Sequence, residues 1–232
     1  MNRTMIKKLD WDSTFFSKKI AEVNLNDNQP LELNDKSFDL IVLKQKIDSQ
    51  IEIPHYLQVF KETKVIFQKE LEKLNNGSYS DVKDTDTESR EFSYFTYLAY
   101  ESGKMSRFLL DKNFGEDQFK ELYNLWVINS LNKQFAIKTF FIEEEGKAIG
   151  FVTLQQYNEI GKIGLIATHP DYQGKGIGRK LLEYAENFCV LNDIRKLEIP
   201  TQQENTGACS FYLRLGYSVQ ENIIIKHFWR ND

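Results

Sequence analysis

Cysteine and histidine are scarce in this chain and its net charge is small, and each shortage closes a class of explanation. Cys189 and Cys209 are the only cysteines in 232 residues, so no disulfide framework is expected and both thiols read as reduced structural residues rather than nucleophiles. The three histidines, His55, His169 and His227, form no pair at a metal-ligand spacing, and no metal site is expected. No run approaches the roughly 18 apolar residues of a membrane span. The opening Met1-Asn2-Arg3-Thr4-Met5-Ile6-Lys7-Lys8 has no continuous apolar stretch before a small-residue cleavage site. A soluble, cytoplasmic protein without membrane insertion is the expectation. With 30 basic against 34 acidic residues the formal charge is -4, which is no footprint for a nucleic-acid backbone, and nucleic acid is not an expected partner. Local positive charge at Lys175, Arg179 and Lys180 still suits a small phosphorylated ligand.

What the chain does have is apolar material, 41% hydrophobic with 13% aromatic, enough to bury a substantial core. The stretch poorest in it is 75–90, with Gly77, several serines and the alternation Asp84-Thr85-Asp86-Thr87, which reads as a linker. Three segments are expected: a smaller amino-terminal α/β domain over 1–75, a polar linker over 76–93, and a larger domain over 94–232. In the first, 38–43 is a buried strand and 65–74 is a strand or a helix, which periodicity leaves open. Asp12 or Ser13 would cap a helix whose Trp11, Phe15 and Phe16 pack inward. In the larger segment, 119–132 has helical spacing, and 135–143 and 148–156 are strands turning at Gly146. Then 162–168 is a strand, 178–191 a helix, 196–200 a strand, 206–215 a helix and 223–229 a closing strand. The order is mixed α/β around one central sheet flanked by helices.

The chemistry is concentrated after the strand ending at Thr168. His169-Pro170-Asp171-Tyr172 leads into Gln173-Gly174-Lys175-Gly176-Ile177-Gly178, which opens a helix. Glycines allow the backbone to approach a ligand closely, so that successive N–H groups point at a diphosphate, and the helix dipole adds to the attraction. A G-x-G-x-G stretch alone is as often a turn as a phosphate site. The spacing is wrong for a dinucleotide fold, and no Gly-Lys-Ser/Thr ends it as a P-loop requires.

The segment 163–189, with His169-Pro170-Asp171-Tyr172-Gln173-Gly174-Lys175-Gly176-Ile177-Gly178-Arg179-Lys180-Leu181-Leu182, resembles the acetyl-CoA motif of the GCN5-related N-acetyltransferases (GNAT). Asn205 followed by Phe211-Tyr212-Leu213-Arg214-Leu215-Gly216-Tyr217 resembles that family's second signature. Leu9-Asp10-Trp11-Asp12-Ser13, Ser106-Arg107-Phe108 and Phe228-Trp229-Arg230 narrow the likeness, more loosely, to the TDP-fucosamine acetyltransferases of bacterial surface-polysaccharide synthesis. The resemblance implies a twisted mixed sheet, acetyl-CoA as donor, and a nucleotide-linked 4-amino-4,6-dideoxy sugar as acceptor, and it allows a homodimer.

By the same resemblance, the backbone of Ile166, Ala167 and Thr168 pairs with the pantetheine arm, their side chains being core. Gln173, Gly174, Lys175, Gly176, Ile177, Gly178 and Arg179 hold the diphosphate, although Arg179 also reads as a solvated first-turn residue. Asn205 caps a helix and contacts coenzyme A. Tyr212 is the proton donor to the departing thiolate; periodicity alone makes it a core tyrosine. Ser106 and Arg107 lie in a loop and bind the acceptor, Arg107 meeting a diphosphate with its fork, the plain alternative being an exposed arginine. Many members of the family carry a glutamate on the strand entering the loop, and its equivalent here is Gly164. Glu198 and Glu204 give no reason to prefer either, and no base is assigned. Two other readings stand beside this one: an acetyltransferase for a protein N-terminus, polyamine or drug amine, and a silent acyl-CoA-binding module, against which an intact loop and Tyr212 argue.

Overall fold

The computed structural model describes residues 6–25, 36–85 and 92–231. Along the chain run β1 (Ile6–Lys8), α1 (Asp10–Phe15), β2 (Ile20–Leu25), β3 (Leu40–Gln45), β4 (Tyr56–Glu70), β5 (Lys83–Asp84), α2 (Phe92–Ser102), α3 (Arg107–Leu110) and α4 (Glu116–Leu131). They are followed by β6 (Lys138–Glu144), β7 (Lys147–Tyr157), β8 (Ile160–Thr168), α5 (Ile177–Leu191), β9 (Lys196–Gln202), α6 (Thr206–Arg214) and β10 (Ser218–Arg230). The described strands form one sheet in the order β1-β2-β3-β10-β4-β9-β8-β7-β6-β5. Only β2 with β3 and β8 with β9 pair in parallel. This is the mixed, helix-flanked sheet expected, and β10 joins β3 to β4 within it. Among the described residues no helix is long and apolar enough to cross a membrane.

Strand alternation divides the core between the two faces. On β6, Phe141 packs with α2 and α4 while its neighbour Phe140 packs with α5. Phe151 and Val152 of β7 divide in the same way. The helices answer with matching stripes: Phe119, Leu122, Tyr123 and Val127 on α4, and Leu181, Leu182, Ala185 and Cys189 on α5, at the spacing that keeps side chains on one face. Glu145 and Gly146, with φ of 50° and 75°, make the two-residue turn between β6 and β7, a geometry matched to the strands' twist.

Several local expectations are corrected. Of the ambiguous 65–74 stretch, residues 65–70 belong to a strand that begins at Tyr56 and ends at Glu70, and it pairs with both β9 and β10. The first helix starts at Asp10, with Leu9 at its N-cap and no side-chain cap, so neither Asp12 nor Ser13 caps it. Trp11 is 49% exposed and stacks on Phe15, whereas Phe16 is buried. Arg107 is not in a loop but opens α3, where the Ser106 hydroxyl, at the N-cap, accepts the Phe108 N–H. Within the segment 76–93, Lys83–Asp84 pair with β6, and Tyr79 and Asp81 meet Glu183 and Lys180 of α5. Residues 86–91, including Asp86 and Thr87, lie outside the described residues.

One buried polar node ties the helical layer to the centre of the sheet. Asp111, after α3, accepts from Nδ1 of His227 at 2.6 Å, from Nε1 of Trp229 at 2.8 Å and from the Asn113 N–H at 3.1 Å. Burial by itself would raise the Asp111 carboxyl, but these hydrogen bonds overcome it and hold it below the ordinary range. Burial lowers the His227 imidazole against the opposing pull of Asp111, which keeps the ring neutral, its Nδ1–H donating. Asp111→Ala removes the shared acceptor of two buried donors, so stability should fall by about 3 kcal/mol. The check is a urea midpoint that drops with the slope unchanged; an unaltered midpoint would mean the node contributes nothing.

Candidate active site

The parallel pair β8 and β9 is laddered only at Ile160–Lys196, Gly161–Leu197 and Lys162–Glu198. Beyond Lys162 the two strands part, and the reason lies on the opposite edge of β8. Its register with β7 slips between Val152 and Leu154, so Gly164 and Leu165 together face Thr153, whose hydroxyl accepts the Leu165 N–H at 2.8 Å. A bulge of this kind bends the strand and re-aims its side chains. Thus Ile163 packs on the α5 side of the sheet, but Leu165 and Ala167 pack on the α2 and α4 side. His169 N–H donates to the Ile149 carbonyl at 2.8 Å, on the β7 edge. By alternation the backbone groups of Ile166 and Thr168 then face the gap. The Thr168 carbonyl accepts there from Gln173 Nε2 at 3.3 Å.

Past β8 the chain makes a 3-10 turn at Pro170–Tyr172, capped by His169, and enters the glycines. Gly174 and Gly176 have φ of 76° and 82°, a region costly for other residues. A Cβ at either would meet no atom within 4 Å, so the space above them is open. Gly176 is the N-cap of α5, and no side chain caps that helix, which leaves its first N–H groups and the positive end of its dipole to an anion. The contrast is α6, where Asn205 Oδ1 accepts the Ala208 N–H at 3.2 Å.

Gap and loop open into one cleft of about 1510 Å³. Ser106, Arg107, Ile166, Ala167, Thr168, Gln173, Gly174, Gly176, Ile177, Gly178, Arg179, Asn205 and Tyr212 all line it. Lys175 does not; its Nζ lies over the Tyr172 ring, 4.5 Å from the centroid. Arg179 pairs with Glu183 at 2.9 Å and Lys180 with Asp81 at 2.8 Å. Tyr212 is 4% exposed and packs on Phe67 and Tyr217. Burial, then Cys209, raises its phenol well above the usual range, so it stays protonated and able to donate.

The cleft also holds a charged group that sequence reasoning did not assemble. Six basic side chains line the cavity, Lys64, Lys104, Arg107, Lys162, Arg179 and Arg214, against the acidic Glu62 and Glu101, so its sign opposes the chain's net -4. Ser106 caps α3 and so seats Arg107, whose guanidinium lies 4.7 Å from the Phe108 ring centroid. Its Nη1 is 3.9 Å from Glu62 Oε1, too far for a hydrogen bond. Glu62 is 5% exposed and its Oε2 has no hydrogen-bond partner among the described residues. Burial lifts its carboxyl to about 6, with Arg107 and Lys64 opposing and Glu204 assisting. Lys64 is pushed down to about 8 by burial and by the nearby charges of Lys162, Arg107 and Lys44. At Gly164 a Cβ would lie 2.9 Å from Thr153 Oγ1 and 3.2 Å from Gln155 Nε2, so a side chain at that position of β8 would have to displace theirs.

Comparison with known proteins agrees with this architecture. The model of the acetyltransferase (GNAT) family matches residues 69–217, from the end of β4 to the threshold of β10. The uncharacterized N-acetyltransferase MJ1207 of Methanocaldococcus jannaschii is 31% identical over 109 residues, 44% of this chain and 48% of that protein. The spore coat polysaccharide biosynthesis protein SpsD of Bacillus subtilis is 26% identical over 132 residues, 57% of this chain and 45% of that protein. The chain thus spans about half the length of the curated relatives it matches. A functionally unknown conserved protein from Staphylococcus epidermidis superposes with a TM-score of 0.66 over 100% of this chain and 93% of its own, at 13% identity, which is a likeness of fold. A family match covering most of the chain, on a sheet that parts beside an uncapped glycine-rich helix start, identifies the lineage: the chain belongs to the acetyltransferase (GNAT) family, the N-acetyltransferases that draw on acetyl-CoA.

Proposed function

We propose that this chain acetylates the amine of a nucleotide-linked 4-amino-4,6-dideoxy sugar with acetyl-CoA as donor. The observation that carries the reading is the basic cleft, in which Arg107, Lys64 and Lys162 gather closely enough to act on one another. With six basic lining residues against two acidic ones, and Lys64 held down to about 8 by burial first and then by Lys162, Arg107 and Lys44, the cavity repels a polyamine and attracts a diphosphate. SpsD, which by its name serves spore coat polysaccharide biosynthesis, supports a sugar acceptor. In this scheme residues 1–75 contribute Glu62 and Lys64 to the acceptor end, and 94–232 contribute the donor end and Arg107.

Bound acetyl-CoA supplies the acetyl thioester. The N–H groups of the Gly174–Gly178 loop and the start of α5 hold its diphosphate, while Ile166 offers N–H and C=O to its amides across the gap. Arg107, seated by Ser106, forks onto the acceptor's diphosphate. Tyr212 delivers its proton to the leaving sulfur.

Gly176→Val places a branched side chain in the open space over a left-handed backbone, and acetyl-CoA affinity should weaken by about tenfold or more with the fold kept; unchanged calorimetric affinity would exclude the loop. Tyr212→Phe keeps the ring packing and removes the donor, so turnover should fall by about 10²-fold at nearly constant acetyl-CoA affinity. A panel of dTDP- and UDP-linked amino sugars should be acetylated, with Arg107→Lys raising KM for the sugar nucleotide more than KM for acetyl-CoA. Turnover of peptides or polyamines with none of the sugars would reject the acceptor named here.

A further inference from the structure

An amine acceptor is mostly ammonium near neutral pH, and nitrogen attacks only after losing a proton. At the position from which many relatives would take it this chain carries Gly164, which has no side chain to accept a proton. We propose that Glu62, reaching the cleft from a different strand, is the general base that receives this proton. The inference rests on the acetyltransferase reading of the cleft.

The geometry argues first. β4 runs antiparallel to β9 with Lys64 opposite Gln202, so Glu62 lies beyond the end of β9, level with the open end of the gap. It lines the same cleft as Tyr212 and Ile166. Its side chain is buried, yet among the described residues Oε2 has no partner and Arg107 stands off at 3.9 Å. A buried carboxylate left incompletely paired is costly, and this one lines a cleft in which a ligand can complete it. The other cleft carboxylate, Glu101, is held by Lys104 at 2.6 Å.

Electrostatics argues second. The groups facing Glu62 are Arg107 from α3, Lys64 on its own strand, Glu204 beyond β9 and Tyr123 from α4. Burial and Glu204 raise the carboxyl while Arg107 and Lys64 restrain it, leaving it at about 6. Such a group is ionised at neutral pH yet more basic than an ordinary glutamate, which suits proton abstraction.

The step balances. The ammonium gives one proton to Glu62, its nitrogen forms the new C–N bond as the C–S bond breaks, and the Tyr212 proton goes to sulfur. A second nitrogen proton restores the phenol, and the proton on Glu62 passes to water. The products are the amide, the thiol and one released proton.

The test follows thiol release against pH for the wild type, Glu62→Gln and Glu62→Asp. The acceptor is an amino-sugar nucleotide or, should the panel yield none, whichever amine is turned over fastest. Wild-type kcat/KM should fall on the acid side with a midpoint near 6, because protonated Glu62 cannot accept. Glu62→Gln should lose about 10²-fold together with that limb, at unchanged acetyl-CoA affinity, and Glu62→Asp should recover part of the rate. A Gln variant with the wild-type rate and limb overturns the assignment. A readout that needs no acceptor is the ¹³C titration of carboxyl-labelled glutamate, with Glu62→Gln identifying the signal. A midpoint near 6 supports the base, and one at the ordinary 4.5 overturns it. A panel in which only non-sugar amines react rejects the sugar substrate while leaving Glu62 to be judged by its pH limb and titration.

Discussion

At the bulge of β8 the Leu165 N–H donates to the hydroxyl of Thr153 in place of a regular ladder partner, and every feature of the cleft depends on that substitution. Two residues then occupy the place of one, β8 bends away from β9, and a parallel pair that begins with three ladder positions opens into a gap. Backbone groups that an uninterrupted sheet would have consumed are left facing it. Unpaired strand edges are usually a hazard; here the edge lies inside the protein, beside the loop that turns into α5, where an amide-bearing chain can complete it.

Charge follows from the same opening. A sheet interior disfavours ionised groups, but the gap lets Glu62, Lys64 and Arg107 share a partly enclosed space. Their mutual influence is strong because little water screens them. Burial makes Lys64 less basic, helped by Lys162 and Arg107, and makes Glu62 more basic against the restraint of Arg107 and Lys64, which brings both toward the range in which protons move at neutral pH. The long Arg107–Glu62 separation leaves both free to address a ligand rather than each other.

The donor end was legible in the sequence because it is local: the glycine loop, the helix it opens and Asn205 at the start of α6 each lie within a few residues of the strand they serve. The acceptor end was not. Glu62 and Lys64 sit in a stretch of alternating charge and apolar residues whose strand character periodicity left open over 65–74, and only pairing with β9 and β10 brings them to the cleft. A signal was present: Val65 and Phe67 pack on the α5 face, so the alternate positions Glu62 and Lys64 must face the opposite side. Gly164 reads as a missing base, but its replacement could not be found without the tertiary fold. The histidines behaved likewise, for His227 meets Asp111 across a separation no motif spans.

The place of β10 in the sheet bears on how the chain is made. It follows every other described strand in sequence, yet it alone bridges β3 to β4. During synthesis the β1-β2-β3 group and β4 must therefore wait, each with a bare edge, for a partner still to emerge from the ribosome. β3 is among the most apolar segments to wait, with Leu40, Ile41, Val42 and Leu43 all destined for burial. Pairings of such long sequence separation form slowly, and exposed apolar edges invite association with other chains. Both edges thus stay open to other chains until β10 appears between them.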